Sequence, residues 1–189
     1  MTEATDTKKR ILDVGEQLFL KGGYDSFSYR HISSALGIKN AAVHYHYPSK
    51  AEFGAAVIRR ARRRFARWRE EVEARGDDAV QKLEALFGIF RNFLQAGTVC
   101  FGGALAINFP ALPPEMQREA QDLNGDFLAW TEAVLREGRR EGRFTFPGDP
   151  KDQAVVVLAC IQGLLQIARE TDPSHFDAAV TQLMRSMKA

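Results

Sequence analysis

Between Ser28 and Lys50 the chain sets out hydrogen-bonding side chains at spacings suited to reading a polymer. Asn40, His44, Tyr45 and His46 offer an amide, two imidazoles and a phenol within two helical turns, while Ala42 and Val43 supply one small apolar side. A short helix anchored on one face and displaying donors and acceptors on the other is the recognition element of a helix-turn-helix, which lies in the major groove of duplex DNA. Asn40 has two readings, an amide for adenine or phosphate and a capping amide at the helix start. Catalysis is not what these residues suit. No Ser/His/Asp order, glycine-rich phosphate loop or carboxylate pair stands out, so no enzyme is expected. His44 and His46 stand two apart, on different faces of a helix, and no Cys, Asp or Glu lies nearby at ligand spacing; neither a metal nor a cofactor is expected.

The elements that must hold this surface are also legible. Ile32, Ala35 and Leu36 recur at helical spacing, and Gly37 can take the left-handed conformation that turns the chain from one helix into the next. Ser28 heads the upstream helix, where its hydroxyl is either only an N-cap or a cap that also bonds phosphate. Before it, Ile11, Leu12, Gly15, Leu18 and Phe19 form the stripe of an amphipathic helix over residues 7–21, closed by Gly22 and Gly23. After it, Ser49 and Glu52 form a capping box, with Pro48 and Phe53 at the staple positions. They open a fourth helix over residues 49–75 with Phe53, Val57, Ala61, Phe65, Trp68 and Val72 on one face. Tyr24 and Tyr47 read as core aromatics.

The remaining chain reads as helices over residues 78–96, 113–141, 150–170 and 173–187, with a small apolar stretch at 100–108. Asp149-Pro150 and Asp172-Pro173 each read as an N-cap followed by a first-turn proline. The fold class is therefore all-α, about nine helices packed helix on helix. The net charge of +2 hides an asymmetry: residues 1–75 hold 15 Lys and Arg against 9 Asp and Glu, the rest 11 against 15. Much of the excess is an acid-free arginine run from Arg59 to Arg69, read either as a field drawing phosphate or as a solvated helix face. The chain opens without an apolar signal segment, and the longest apolar run, 154–161, is too short to cross a bilayer. Two cysteines, Cys100 and Cys160, imply no disulfide framework. A cytoplasmic protein with no membrane segment is expected.

Residues 7–55 resemble the TetR/AcrR family of bacterial regulators. The resemblance is carried by Arg10-Ile11-Leu12, Leu18-Phe19, Gly23-Tyr24, Ser28-Tyr29-Arg30-His31-Ile32, Leu36-Gly37-Ile38 and His44-Tyr45-His46-Tyr47-Pro48-Ser49-Lys50. Ala41 departs from the family's frequent Gly, and Val43-His44-Tyr45-His46-Tyr47 from its usual Leu-Tyr-x-His-Phe. The resemblance implies a helix-turn-helix domain over residues 1–52 and an effector-binding and dimerisation domain over 53–189. It implies a DNA-contact set of Ser28, Tyr29, Arg30, Lys39, Asn40, Ala41, Ala42, His44, Tyr45, His46 and Lys50. Lys50 also sits beside the free amides of a helix N-terminus, a position that favours an anion.

For the second domain the resemblance implies a homodimer built from the last two helices, and hence a palindromic double-stranded DNA operator. The helix at 150–170 is apolar around most of its circumference, which asks for cover on nearly every side. The middle helices hold a surplus of aromatics, read either as packed core or as the wall of a cavity for a small, mostly apolar effector of unknown identity. The candidate lining is Phe87, Phe90, Leu94, Cys100, Phe101, Asn108, Phe127, Trp130, Thr131 and Gln162. Cys100 is read either as a small buried hydrophobe or as a thiol that senses electrophiles near that cavity. The expected function is a ligand-responsive transcriptional repressor. The alternative is a DNA-binding architectural or protein-partnered factor of the same fold with no small-molecule effector.

Overall fold

The computed structural model describes residues 3–26, 28–106 and 108–188, whose regular structure is helical with no β-strand. Nine α-helices occur among the described residues: α1 (Glu3–Gly22), α2 (Tyr29–Leu36), α3 (Asn40–His46), α4 (Lys50–Ala74), α5 (Ala79–Gln95), α6 (Phe101–Ala106), α7 (Pro114–Arg140), α8 (Pro150–Glu170) and α9 (Ser174–Met187). Single 3-10 turns lie at Tyr24–Ser26 and Phe109–Ala111. The all-α expectation holds. Two starts differ from it. α1 begins a turn before residue 7, where no capping signal marks a start. α9 begins at Ser174, yet Pro173 already has helical angles and the Asp172 carboxylate accepts from the Ser174 N–H at 2.8 Å, so the pair caps the helix with an offset of one.

The chain forms two compact units, residues 1–63 with 101–123 and residues 64–100 with 124–189, so the division expected at residue 52 falls inside α4. Residues 101–123 join the first unit because α6 packs on α1, with the Phe101 ring 6.0 Å from Phe19. In that unit Ile11, Phe19, Ile32, Val43, Phe53, Val57 and Ile58 are fully buried. Gly15 interrupts the α1 stripe for a steric reason: a Cβ there would lie 2.1 Å from Cζ of Phe53. Gly37 adopts φ 65° and its N–H bonds the carbonyls of Ser33 and Ser34, ending α2 and turning the chain toward α3.

The second unit has its own core, built from Leu83, Leu86 and Phe87 of α5, Val134 and Leu135 of α7, Ala154, Val157, Ile161 and Leu165 of α8, and Phe176, Val180 and Met184 of α9. Lys82 is buried there and is held by Glu73 and Glu137, each at 2.8 Å. At 21 residues α8 is long and apolar enough, by length and composition alone, to cross a membrane, which the short 154–161 run does not suggest. It packs here as a bundle helix against α5 and α9, with a buried face and an exposed one that carries Val155, Val156 and Ile167.

Candidate nucleic-acid interface

Ser28 caps α2, its Oγ accepting from the His31 N–H at 3.4 Å while His31 Nδ1 accepts from the Ser28 N–H at 3.3 Å. This is a capping box with histidine where Glu or Gln is usual. Arg30, the second residue of α2, is exposed beside it. Tyr29 lies on the other side of the helix. It is buried, its hydroxyl donates to the Ser49 carbonyl at 2.5 Å, and its ring meets His44 edge-on at 4.7 Å and Phe53 at 6.0 Å. Burial, reinforced by the Glu52 carboxylate, pushes the Tyr29 phenol far above its ordinary value.

Val43 alone of the α3 residues is fully buried. Lys39, Asn40, Ala41, His44 and Tyr45 are exposed, and Ala42 and His46 are half-buried. Lys39 occupies the N-cap position of α3 without a side-chain cap, so Asn40 is a first-turn residue and not the capping amide. Tyr45 is 80% exposed and touches only the edge of the His46 ring, at 5.1 Å, among the ring contacts of the described residues. Tyr47 is buried against Phe53 at 5.0 Å, as expected of a core aromatic. Ser49 Oγ accepts from the Glu52 N–H at 3.1 Å at the start of α4. Lys50 Nζ sits 4.5 Å from the centre of the Tyr24 ring, and partial burial lowers its pKa.

Behind this surface runs a basic groove of about 530 Å³ between α1 and α4, lined by Lys8, Lys9, Arg59, Arg60 and Arg63 and entered from α3 by His46 and Tyr47. Sequence reasoning missed it, because Lys8 and Lys9 lie some 50 residues from the α4 arginines. The arginine run itself is divided. Arg59 pairs with Glu119 at 2.8 Å, Arg62 with Asp122 at 2.6 Å, and Arg60 with Asp13 and Glu16, while Arg63 and Arg67 stay exposed. The solvated-face reading fits Arg63 and Arg67, whereas Arg59, Arg60 and Arg62 are engaged in ion pairs.

Residues 11–57 match the family model described as bacterial regulatory proteins, tetR family, and residues 79–183 match that of the tetracyclin repressor-like C-terminal domain. The chain belongs to the TetR family. The HTH-type transcriptional repressor NemR of Escherichia coli K12 is 26% identical over 178 residues, covering 89% of this chain and 88% of NemR. The repressor DhaR of Mycobacterium sp. strain GP1 is 22% identical, covering 97% and 93%. A TetR-family regulator from Agrobacterium tumefaciens superposes with a TM-score of 0.94 at 28% identity, over 99% of this chain and 100% of the other. As a TetR-family member the protein is a DNA-binding transcription regulator with a helix-turn-helix at its N-terminal end.

The candidate effector residues of this TetR-family chain fall in both units. Phe87, Phe90, Cys100, Trp130 and Thr131 are buried in the second unit, with Leu94, Phe127 and Gln162 half-buried there. Phe101 and Asn108 belong to the first unit, where Phe101 packs on Phe19 and the Asn108 amide donates to Asp25 at 2.9 Å. The Thr131 hydroxyl donates to the Phe127 carbonyl one turn back, at 2.8 Å. Cys100 is 4% exposed within the core and immediately precedes α6.

Proposed function

We propose that the protein is a transcriptional repressor that binds a palindromic operator as a homodimer and leaves it when a small, mostly apolar effector binds. The observation that carries this reading is the exposure pattern of α3, with Val43 alone fully buried and Asn40, His44 and Tyr45 exposed. In this reading Asn40, His44 and Tyr45 meet base edges. Ser28, Arg30, Lys39, His46 and Lys50 meet phosphates, and the small Ala41 and Ala42 let the helix backbone come close. Tyr29 acts from beneath, holding His44 by its ring and the start of α4 by its hydroxyl.

Support for the dimer comes from α8 and α9. Val155, Val156 and Ile167 are exposed, and an apolar recess of about 450 Å³ is lined by Ala159, Gly163, Leu164, Ala179 and Leu183 among others. A two-fold pairing of this face with its own copy gives the cover that the helix lacks in one protomer. The repressors among the relatives support the direction of regulation, and in this reading the protein works where its operator is, in the cytoplasm. Selection from random duplexes followed by binding titration tests the reading. A dimer in sedimentation, an enriched palindrome and an affinity that falls steeply with salt are expected. A monomer at micromolar concentration, or equal affinity for every duplex, refutes it.

A further inference from the structure

The only two tryptophans of the chain, Trp68 and Trp130, lie in one aromatic cluster of the second unit. Their ring centres are 5.0 Å apart, and Phe65 stacks on Trp68 at 5.5 Å and on Phe127 at 3.7 Å. Beside them is a recess of about 490 Å³ lined by Ala66, Arg69, Glu70, Glu73 and Trp130. The Arg69 guanidinium lies 5.2 Å from the centre of the Phe65 ring, and its Nε is buried with no hydrogen-bond partner. A buried N–H without an acceptor is costly, and a native structure keeps few of them.

The carboxylates of the recess do not meet that need. Glu73 is held by Lys82 at 2.8 Å and accepts from Trp130 Nε1 at 3.3 Å. Glu70 is exposed, and the buried Arg69 Nε takes no bond from it. We propose that the recess is an effector site for a carboxylate carried on an apolar, aromatic body. The guanidinium takes the carboxylate and Trp130, the aromatic wall of the recess, takes the body. The proposal rests on the ligand-responsive reading above and names the chemical class of its ligand. Aromatic rings beside glutamates also suit a quaternary ammonium. Here, however, Arg69 already holds the cation position over Phe65, and Glu73 already has Lys82, so a second cation meets the Arg69 charge and is left with the exposed Glu70 as its countercharge.

Because Trp130 lines the recess and Trp68, the only other tryptophan, lies 5.0 Å from it, intrinsic fluorescence of the full-length protein reports occupancy of the site. The probes are 4-phenylbutyrate, its uncharged amide 4-phenylbutyramide, and choline. The acid should give a saturable change, with the amide weaker by about tenfold or more, the loss expected when a charge-assisted hydrogen bond is removed. Arg69→Gln should bring the acid down to the level of the amide, and Arg69→Lys should keep part of the preference; far-UV circular dichroism checks that both variants fold. Four results overturn the proposal: no saturable change with the acid up to millimolar concentration, equal binding of acid and amide, an acid preference that survives Arg69→Gln, or choline binding in preference to the acid. Anisotropy of bound DNA separates this from the reading beneath it. Acid binding that leaves DNA in place keeps the site and removes ligand-responsive release; DNA release by the amide as readily as by the acid keeps ligand response and removes the carboxylate class.

Discussion

Arg60→Met tests whether the first unit is held together by a buried ion cluster. Arg60 donates to Glu16 through Nε at 2.7 Å and again through Nη2, to Asp13 through Nη1, and to the Leu12 carbonyl at 3.1 Å. Its side chain is 17% exposed, that of Glu16 is 6% and that of Asp13 is 47%. Removing one partner of a buried ion pair costs about 3–5 kcal/mol, because the other charge stays in the interior. With Arg60 partly reached by water, the lower end applies, about 3 kcal/mol. The exposed Asp13 is worth far less: Asp13→Ala should cost about 0.2–1 kcal/mol. Arg60→Met combined with Glu16→Leu should regain most of the loss, since a well-packed apolar pair of similar volume is often neutral. Urea denaturation of the four proteins at one fixed protomer concentration reads these values, the concentration being held because a dimer's apparent stability depends on it. A loss below about 1 kcal/mol for Arg60→Met, or a double variant no better than the single, refutes the buried-pair argument.

Gly15→Ala puts a Cβ 2.1 Å from Cζ of the buried Phe53, so overpacking of about 1–3 kcal/mol outweighs the gain of about 1 kcal/mol in helix propensity; a variant that melts at or above wild type contradicts this. Tyr29→Phe removes the bond to the Ser49 carbonyl and should cost about 1–2 kcal/mol at neutral pH in the same assay. Burial raises the Tyr29 pKa above its ordinary value of 10.0, so the stability it brings is complete below pH 10 and is lost as pH climbs through the raised folded-state value. Tyr29→Phe should therefore also shallow the alkaline limb of the stability curve, and an unchanged limb counts against it. Lys50→Ala should weaken binding to all duplexes and flatten the salt slope by about 0.9 for each phosphate that is no longer neutralised; an unchanged slope rules out the docking geometry.

The helix-turn-helix is legible because its signals are local. Gly37 marks the turn, Ile32 and Leu36 mark the buried side, and the resemblance lies in contiguous motifs. Ser28 is legible as a cap, but its reciprocal partner is not, because a histidine at that position carries no capping signal in a sequence pattern. Tyr29 was expected among the DNA contacts, and tyrosine suits either a buried or an exposed place. What decides it is the Ser49 carbonyl, twenty residues away. The aromatic surplus of the middle helices is legible as composition, yet its grouping is not. Phe101 and Asn108 go to the first unit because α6 docks on α1, and the Phe65–Phe127 stack joins residues 62 apart in the chain. The Arg69 donor left without an acceptor needs coordinates to be seen at all.

A seven-residue helix is too short to hold its shape alone in water, so α3 takes its position from its neighbours. Those neighbours are identifiable. His44 rests on the edge of Tyr29, Tyr47 on Phe53, the Tyr29 hydroxyl on the last carbonyl before α4, and α4 on α1 through Arg60. In the function proposed above, residues that read bases and residues that aim the reading helix are therefore different sets, and binding measurements separate them. Loss of His44 or Asn40 removes a hydrogen-bonding group from the exposed face of α3, so His44→Ala or Asn40→Ala should cost about 1–3 kcal/mol on the cognate operator and much less on unrelated duplexes. Loss of Arg60 loosens the frame while leaving every group on the exposed face of α3. It lowers the fraction of protein in which α3 is correctly held, and apparent affinity falls by that fraction for every duplex. Arg60→Met should accordingly weaken cognate and unrelated DNA by the same factor, with the ratio of the two preserved. If the ratio collapses in Arg60→Met as it does in His44→Ala, then Arg60 takes part in reading the sequence and the division between the two sets is wrong.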